Sequence, residues 1–407
     1  MSTTTARILL GDADAFFVAV ARMVDPGGAG REPLLIVGGT RESRGVVCSA
    51  SYETRRYGVR SAMPIARALR LCPQAVCVPV PRKACGIKSR EIRAVLERFA
   101  PKVEGASIDE WYMDVGGTER LYHDEPLAGT ARRIRAAVLE ETGLSVSIGG
   151  GTAKLVAKLA VERAKPKPDN DATGVLVVEP GMESEFLNGF SLAEIPLIGP
   201  RFQERLARLG MRSVPDVLQY DLATLTGWLG EREAAWLHDR VRGIDHGTVE
   251  ERLEAKSLSR DETFPADIAD DAELERELLA LVVRAASDLR GDGLTARTIT
   301  VRIRDADFTT RSASRTLDRG VIADRPIFAV ARALLKKLRS ARRVPARLVG
   351  VALSSLSEDP RADQLLLFER AVETMETDRD RSLAHAVDRV RAKFGPRGIL
   401  PGGLQGR

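Results

Sequence analysis

Two short apolar runs that each carry clustered carboxylates constrain this chain more than any other feature. The first passes from Arg7-Ile8-Leu9-Leu10 into Gly11-Asp12-Ala13-Asp14; the second passes from Ser107-Ile108-Asp109-Glu110 into Trp111-Tyr112-Met113-Asp114-Val115. Both are rich in aliphatic and aromatic residues, which reads as strand. Neighbouring carboxylates repel one another, so a fold keeps them together only where something cationic neutralises them. For donors that are all oxygen the fitting cation is Mg²⁺, which is hard, octahedral and shares its shell with phosphates. The two clusters therefore point to metal-assisted phosphoryl transfer. Asp14, directly before Ala15-Phe16-Phe17-Val18, is also placed to cap a helix that starts there.

Strands and helices alternate through the rest of the first half. Leu34 to Gly39 and Gly45 to Ala50 read as strands; helices are expected from Met63, over Ser89–Phe99, over Leu127–Thr142 and over Ala153–Arg163, with a strand over Leu144–Ile148. The pattern is that of an α+β core. A polar, proline-broken loop, Lys165 to Asp171, closes this part, and Gly174 to Val178 returns as a strand. Residues 182–248 read as a small helical unit with glycine turns, and Glu250 to Ser259 as a charged linker. Helices near Glu273–Leu289 and Pro326–Arg339, with alternating strands such as Arg297 to Arg304, form a second α+β domain. From Ser357 the chain is polar except for Gln364-Leu365-Leu366-Leu367-Phe368, and a last helix is expected over Arg381–Phe394.

A length of 407 residues exceeds one hydrophobic core, so several domains are required. The net charge of +5 decides nothing by itself, but its distribution does. From Arg290 to Arg347 basic residues outnumber acidic ones about three to one, which suits a polyanion. Cys48, Cys72, Cys77 and Cys85 show no C-x-x-C spacing and read as reduced core thiols, and the four histidines form no ligand pattern. No N-terminal targeting segment and no apolar run of membrane-spanning length is found, so a cytoplasmic protein without a membrane partner is expected.

The motifs Asp12-Ala13-Asp14-Ala15-Phe16-Phe17, Ala50-Ser51-Tyr52-Glu53-Thr54-Arg55-Arg56-Tyr57-Gly58, Ser107-Ile108-Asp109-Glu110 and Ala164-Lys165-Pro166 occur in this order, followed by Lys256-Ser257-Leu258 and Glu262-Thr263-Phe264. With that set the chain resembles the Y-family DNA polymerases, in particular the bacterial DNA polymerase IV (DinB) branch. The resemblance implies a multidomain α+β right hand. Its parts would be a palm over 1–16 and 81–173, fingers over 17–80, a thumb with a helix-hairpin-helix over 174–248 and a linker over 249–258. A little finger over 259–356 and a tail over 357–407 would follow. It implies a monomeric, template-directed, low-fidelity translesion polymerase without proofreading, which adds deoxynucleotides from dNTPs to the 3′ end of a primer-template DNA.

Residue by residue, Asp12, Asp109 and Glu110 match the family's metal carboxylates, and the Ala13 carbonyl a further ligand, for two Mg²⁺ ions. Ser49, Tyr52, Arg55 and Lys165 match its triphosphate contacts. Phe16 and Phe17 border the nucleotide; Phe17 is expected to be the steric gate that excludes a 2′-hydroxyl, with Phe16 behind it in the core. Cys48 and Ala62 match positions that roof the nascent base pair, where small side chains leave room for damaged bases. Gly199 belongs to the DNA-gripping hairpin, and Arg302, Arg304, Arg311 and Arg315, with Lys336 and Lys337, to the DNA-binding little finger. Gln364, Leu365, Leu367 and Phe368 resemble the peptide that docks on the bacterial sliding clamp.

Some positions depart from the family pattern. Leu197 replaces the first hairpin glycine, where a Cβ obstructs close backbone approach; Gly11 replaces a bulky residue, Trp111 a small one and Cys85 an aromatic one. The competing readings are a non-catalytic, polymerase-like DNA- and clamp-binding accessory protein, and a metal-dependent nuclease. Retention of the carboxylates speaks against the first, and the triphosphate residues have no use in the second.

Overall fold

The computed structural model describes residues 6–123, 125–166, 171–251, 255–358, 375–395 and 398–404. They form two compact units, Met1–Leu253 and Glu254–Arg407. The clamp-like peptide Gln364–Phe368 lies outside the described residues.

In chain order the first unit begins with β1 (Ile8–Ala13), α1 (Phe16–Val24), β2 (Leu35–Gly38), β3 (Ser49–Ala50), α2 (Tyr52–Arg55), α3 (Ile65–Leu71), β4 (Val76–Pro79) and α4 (Arg82–Leu96). It continues with β5 (Lys102–Gly105), β6 (Glu110–Asp114), α5 (Leu127–Thr142), β7 (Val146–Gly151), α6 (Lys154–Ala164) and β8 (Val175–Val177). Helix α4 starts already at Arg82, earlier than the apolar periodicity predicts, because Cys85 in its first turn is part of the core. Five strands form one sheet in the order β5-β6-β1-β7-β8, so the two carboxylate-bearing strands are direct neighbours. The short strands β3-β2-β4 form a separate small sheet, whose core with α3 includes Ile36, Val47, Val59, Ile65 and Ala68.

Strand alternation sorts the residues of the large sheet. Leu9, Ala13, Trp111, Met113, Val146 and Ile148 point into a core closed by α4 and α5. Ile8, Leu10 and Tyr112 point to the other face, against Ala157 and Val161 of α6. Gly11 and Trp111 are register partners in the antiparallel β1–β6 pair, so the missing side chain at Gly11 stands beside the largest buried one. Trp111 packs behind the strand, in the core, instead of narrowing the carboxylate site. On β7, a Cβ at Gly149 would overlap the Ala157 carbonyl oxygen and the Val161 amide nitrogen, so glycine there is what lets α6 lie directly on the sheet.

Short helices follow: α7 (Glu183–Leu187), α8 (Pro200–Arg208), α9 (Val214–Leu218), α10 (Leu222–Leu229) and α11 (Glu231–Arg240). Their apolar faces share one core that includes Leu187, Ile195, Ile198, Leu206, Val214, Leu225 and Leu237. The linker expected over 249–258 is shorter than its composition suggests. Val249 is buried with Ile8 and Leu10, and the Glu250 amide donates to Glu104 at 2.9 Å. Lys154 secures that anchor, reaching both Glu104 oxygens at 2.7 Å.

The second unit consists of β9 (Ser257–Ile268), α12 (Asp271–Gly291), β10 (Thr295–Asp305), β11 (Thr310–Val321), α13 (Asp324–Ala341), β12 (Ala346–Ser357) and α14 (Asp378–Phe394). Its antiparallel sheet runs β11-β10-β12-β9, with α12 and α13 packed on one face. The last helix is tied to this unit by an almost fully buried arginine. Arg290, with its side chain 2% exposed, donates to Asp388 at 2.6 and 3.0 Å, to Asp324 at 2.8 Å and to the Ile322 carbonyl at 2.6 Å.

Gly149→Ala is expected to cost about 2–3 kcal/mol, the price of overpacking a backbone contact that cannot yield. Gly11→Ala, whose new Cβ would meet only the Met113 methyl at 3.6 Å, should stay within about 1 kcal/mol of wild type. Urea unfolding followed by tryptophan emission checks both, since Trp111, Trp228 and Trp236, the chain's three tryptophans, all lie in the first unit.

Candidate active site

Register places the acids. Asp12 on β1 is opposite Glu110 on β6 and Ser147 on β7, so all three side chains stand on the α6 side of the sheet. Asp109 sits in the bend that enters β6, and its carbonyl accepts the Ala13 N–H at 2.9 Å, joining the two strands where the carboxylates meet. Its own carboxylate accepts the Ser107 hydroxyl at 2.5 Å.

Helix α6 brings the countercharge. Lys158 Nζ is 2.7 Å from Glu110 and 3.9 Å from Asp12; Lys165, just past the helix end, is 2.8 Å from Asp12 and 2.8 Å from Glu162. Asp12 is only 7% exposed, and burial pushes its carboxyl up to about 7 against the pull of Lys165. Burial works against the Lys165 ammonium as well, but Asp12 and Glu162 outweigh it and raise its pKa. Among the described residues no group of three or more His, Cys, Asp or Glu side chains is arranged as a ready metal cage. Two lysines share the acidic face instead.

A cleft of about 450 Å³ opens above these groups. Asp12, Ala13, Ala15, Phe16, Phe17, Asp109, Glu110 and Lys165 line one side, and Cys48, Ser49, Tyr52, Arg55, Val59, Arg60 and Ser61 the other. Helix α2 is a single turn capped by Ser51, whose hydroxyl accepts from the Thr54 amide at 3.3 Å. The Arg55 guanidinium lies over the Tyr52 ring at 4.8 Å and its Nε donates to the Ala50 carbonyl at 2.9 Å, so both side chains are held toward the cleft. Burial first, and then the nearby Asp14 carboxylate, raise the Tyr52 phenol and keep it a hydrogen-bond donor. Phe16 is buried in the sheet core, whereas Phe17 is half-buried and meets it edge-on, with ring centroids 5.5 Å apart.

Three positions differ from expectation. Asp14 caps no helix: Ala15 occupies the cap position of α1 in a left-handed conformation, and the Asp14 carboxylate turns back to Ser145 and Ser147. Ala62 is outside the cleft lining; its neighbour Ser61 lines it and donates to the Cys48 carbonyl at 3.1 Å. Lys158 belongs to no sequence motif, yet from the middle of α6 it reaches the same acids as Lys165 beyond the helix end.

In the second unit the arginines divide between faces. Arg302 and Arg304 pair with Ser312 and Thr310 and share the face away from the helices with Thr298, Thr300, Ser314 and Ser354. Arg311 and Arg315 are instead the register partners of Ile303 and Ile299, on the helix-covered face. Arg311 is committed there to the fully buried Asp305 and to the carbonyls of Leu338 and Arg342. This commitment, shared with Arg342 at 2.7 Å from the same carboxylate, holds Arg311 inside a buried ion-pair network rather than presenting it to solvent. Lys336 and Lys337 are exposed on α13, in the layer opposite Arg302. In the first unit, the hairpin before α8 buries Ile195 and Ile198 and leaves Leu197 78% exposed with φ of 72°, while Gly199 takes the cap position of α8.

Among the described residues, no helix is long and apolar enough to cross a membrane. The profile of the impB/mucB/samB family matches residues 11–162, and that of its C-terminal domain residues 255–367. DNA polymerase IV of Methanoculleus marisnigri is 40% identical over 359 residues, which cover 87% of this chain and 96% of that protein. DNA polymerase IV of Halorhodospira halophila is 37% identical, covering 89% of this chain and 98% of that protein. Among solved structures, the Y-family chimera Dbh-Dpo4(243-245)-Dbh superposes with a TM-score of 0.74 at 27% identity, covering 87% of this chain and 100% of the chimera. An insertion ternary complex of Dbh DNA polymerase gives 0.59 at 28% identity, over 86% of this chain and 98% of that one. The architecture is therefore that of palm, fingers, thumb and little finger, and divalent-metal-dependent catalysis comes with the family. The carboxylates at the β1–β6 junction belong to a Y-family DNA polymerase of the DinB, or DNA polymerase IV, type, an enzyme of template-directed translesion synthesis.

Proposed function

We propose that Asp12, Asp109 and Glu110, with the Ala13 carbonyl, hold two Mg²⁺ ions that serve primer extension. The observation that carries this reading is the meeting of Asp12 and Glu110 as register partners, with Asp109 at the strand entry and Tyr52, Arg55 and Lys165 lining the same cleft. The donor set fits: three carboxylates, all hard oxygen donors, line one cleft, and the ammonium groups that balance them there are charges a divalent cation can replace. When bound, the two ions supply activation of the primer 3′-hydroxyl and stabilisation of the departing pyrophosphate.

The chain's own groups do the rest. Ser49, Tyr52, Arg55 and Lys165 take the triphosphate, the tyrosine as a neutral donor and the two cations by charge. Phe17 stands under the sugar and excludes a 2′-hydroxyl by overlap, while Phe16 anchors it to the core. Cys48 roofs the base pair with a small side chain, and Ser61 joins it in place of Ala62. So little shape selection leaves room for damaged templates and lowers fidelity.

Duplex is held by phosphate contacts. Arg302, which also lies 3.9 Å from Asp261, and Arg304 offer cations on the sheet face away from the helices, beside the hydroxyls of Thr298, Thr300, Ser312 and Ser314, and exposed Arg315 contributes from the edge strand β11. Gly199 presents the start of α8 to a phosphate. The palm is assigned to 1–16 and 81–173, the fingers to 17–80, the thumb to 174–248 and the little finger to the sheet domain that begins with β9. Gln364, Leu365, Leu367 and Phe368 dock the enzyme on a bacterial sliding clamp. The enzyme acts as a cytoplasmic monomer.

Primer extension with Mg²⁺ and dNTPs tests the core of this reading. Wild type should extend the primer, and Asp109→Ala should lose about 10³-fold or more in rate. Absence of extension by wild type, or shortening of the primer, would sink it. Leu197→Gly should raise primer-template affinity severalfold in a fluorescence-anisotropy titration. It relieves a left-handed leucine that costs about 1 kcal/mol and removes a Cβ from the approaching backbone. Deleting 364–368 should abolish stimulation by the clamp while clamp-free extension keeps its wild-type rate.

A further inference from the structure

Asp14 stands two residues from a metal carboxylate, yet its geometry gives it another task. Its Oδ2 accepts the Ser145 hydroxyl and its Oδ1 the Ser147 hydroxyl, each at 2.7 Å, and its N–H donates to the Ser145 carbonyl at 2.9 Å. All three bonds go to the start of β7 or the residue before it. Ser147 is fully buried, and Ser145 is itself oriented by Arg135 at 3.1 Å. Both carboxylate oxygens are thus occupied, and Asp14 is absent from the cleft lining that includes Asp12, Asp109 and Glu110.

The next residue explains what the clasp is for. Ala15 has φ of 46° and ψ of 42°, a left-handed conformation that costs a non-glycine residue about 1 kcal/mol or more. Such a residue persists only where its surroundings over-determine it. Here the chain is held on both sides: ahead of Ala15 by Asp14 on β7, and behind it by the Val18 and Ala19 amides donating to the Ala15 carbonyl at 2.8 and 3.0 Å. Helix α1 has no side-chain cap that could do this instead. The turn at Ala15 sets where α1 begins and therefore where Phe16 enters the core and Phe17 enters the cleft.

We infer that Asp14 is a positioning residue for nucleotide sugar selection: by clasping Ser145 and Ser147 it fixes the left-handed turn at Ala15 and thereby the stance of the Phe17 ring. The inference rests on the reading of Phe17 as the sugar gate. A displacement of the ring by an ångström is enough to matter, because a steric gate works only at contact distance.

The test measures kcat and KM for matched dNTP and rNTP in primer extension with wild type, Phe17→Ala, Asp14→Ala, Asp14→Asn and the Asp14→Ala/Phe17→Ala double variant. Phe17→Ala should lose sugar selectivity. Asp14→Ala should lose about tenfold or more of it, chiefly through a lower rNTP KM, with kcat at saturating dNTP close to wild type. Asp14→Asn, whose side-chain oxygen still accepts a hydroxyl, should recover most of the loss. The double variant should be no less selective than Phe17→Ala, since both substitutions act through one ring.

Full selectivity in Asp14→Ala beside a collapsed Phe17→Ala overturns the inference and leaves the gate reading standing. So do losses that multiply in the double variant, or a fall in kcat as large as that of Asp109→Ala, which would make Asp14 a metal ligand. Unchanged selectivity in Phe17→Ala brings down the gate reading and this inference with it. Should Asp14→Ala fail to fold, as read by its melting curve, Ser145→Ala/Ser147→Ala removes the same two bonds from the other side and decides by the same criteria.

Discussion

Positive charge delivered onto a desolvated carboxylate is the interaction on which the catalytic unit depends. Asp12 lies inside a five-stranded sheet, where an unpaired anion is far too costly to keep. Helix α6 solves this by lying so close to β7 that only glycine fits at position 149, which brings Lys158 and Lys165 within reach of the acids. The same closeness buries Ala157 and Val161 against Ile8 and Leu10. Packing of the helix and neutralisation of the site are one event.

The sheet also separates chemistry from stability. Alternation sends Asp12 and Glu110 to one face and Leu9, Ala13, Trp111 and Met113 to the other. A large residue next to the acids, Trp111, is therefore accommodated in the core without touching the cleft. In the second unit the same period of two has the opposite consequence. Arginines that look alike along the chain are split, with Arg302 and Arg304 on the bare sheet face and Arg311 drawn into a buried ion-pair network with Asp305.

Most elements were legible because their signals are local. The helix Leu127–Thr142 appears with the bounds its pattern predicts, and the carboxylate strands were recognisable from their apolar runs. Three features were not. Lys158 carries no motif of its own and becomes part of the site only through the seat of α6 on Gly149. Asp14 obeys the sequence rule for a helix cap, but two hydroxyls from β7, remote in sequence, offer its carboxylate better partners than the helix amides do. The expected linker lost its beginning to Val249, whose burial against β1 no local composition announces.

The sequence by itself determined the chemistry: which carboxylates, cations and aromatic rings are present, in an order and spacing that a Y-family polymerase requires. Those are properties of residue type and separation, and they survive without coordinates. Only the tertiary structure decided which face each side chain takes and which partner wins when several compete. Asp14 goes to β7, Arg311 to Asp305 and Trp111 to the core, because strand register and burial set contacts between residues far apart in the chain, and the cost of an unpaired buried charge selects among them.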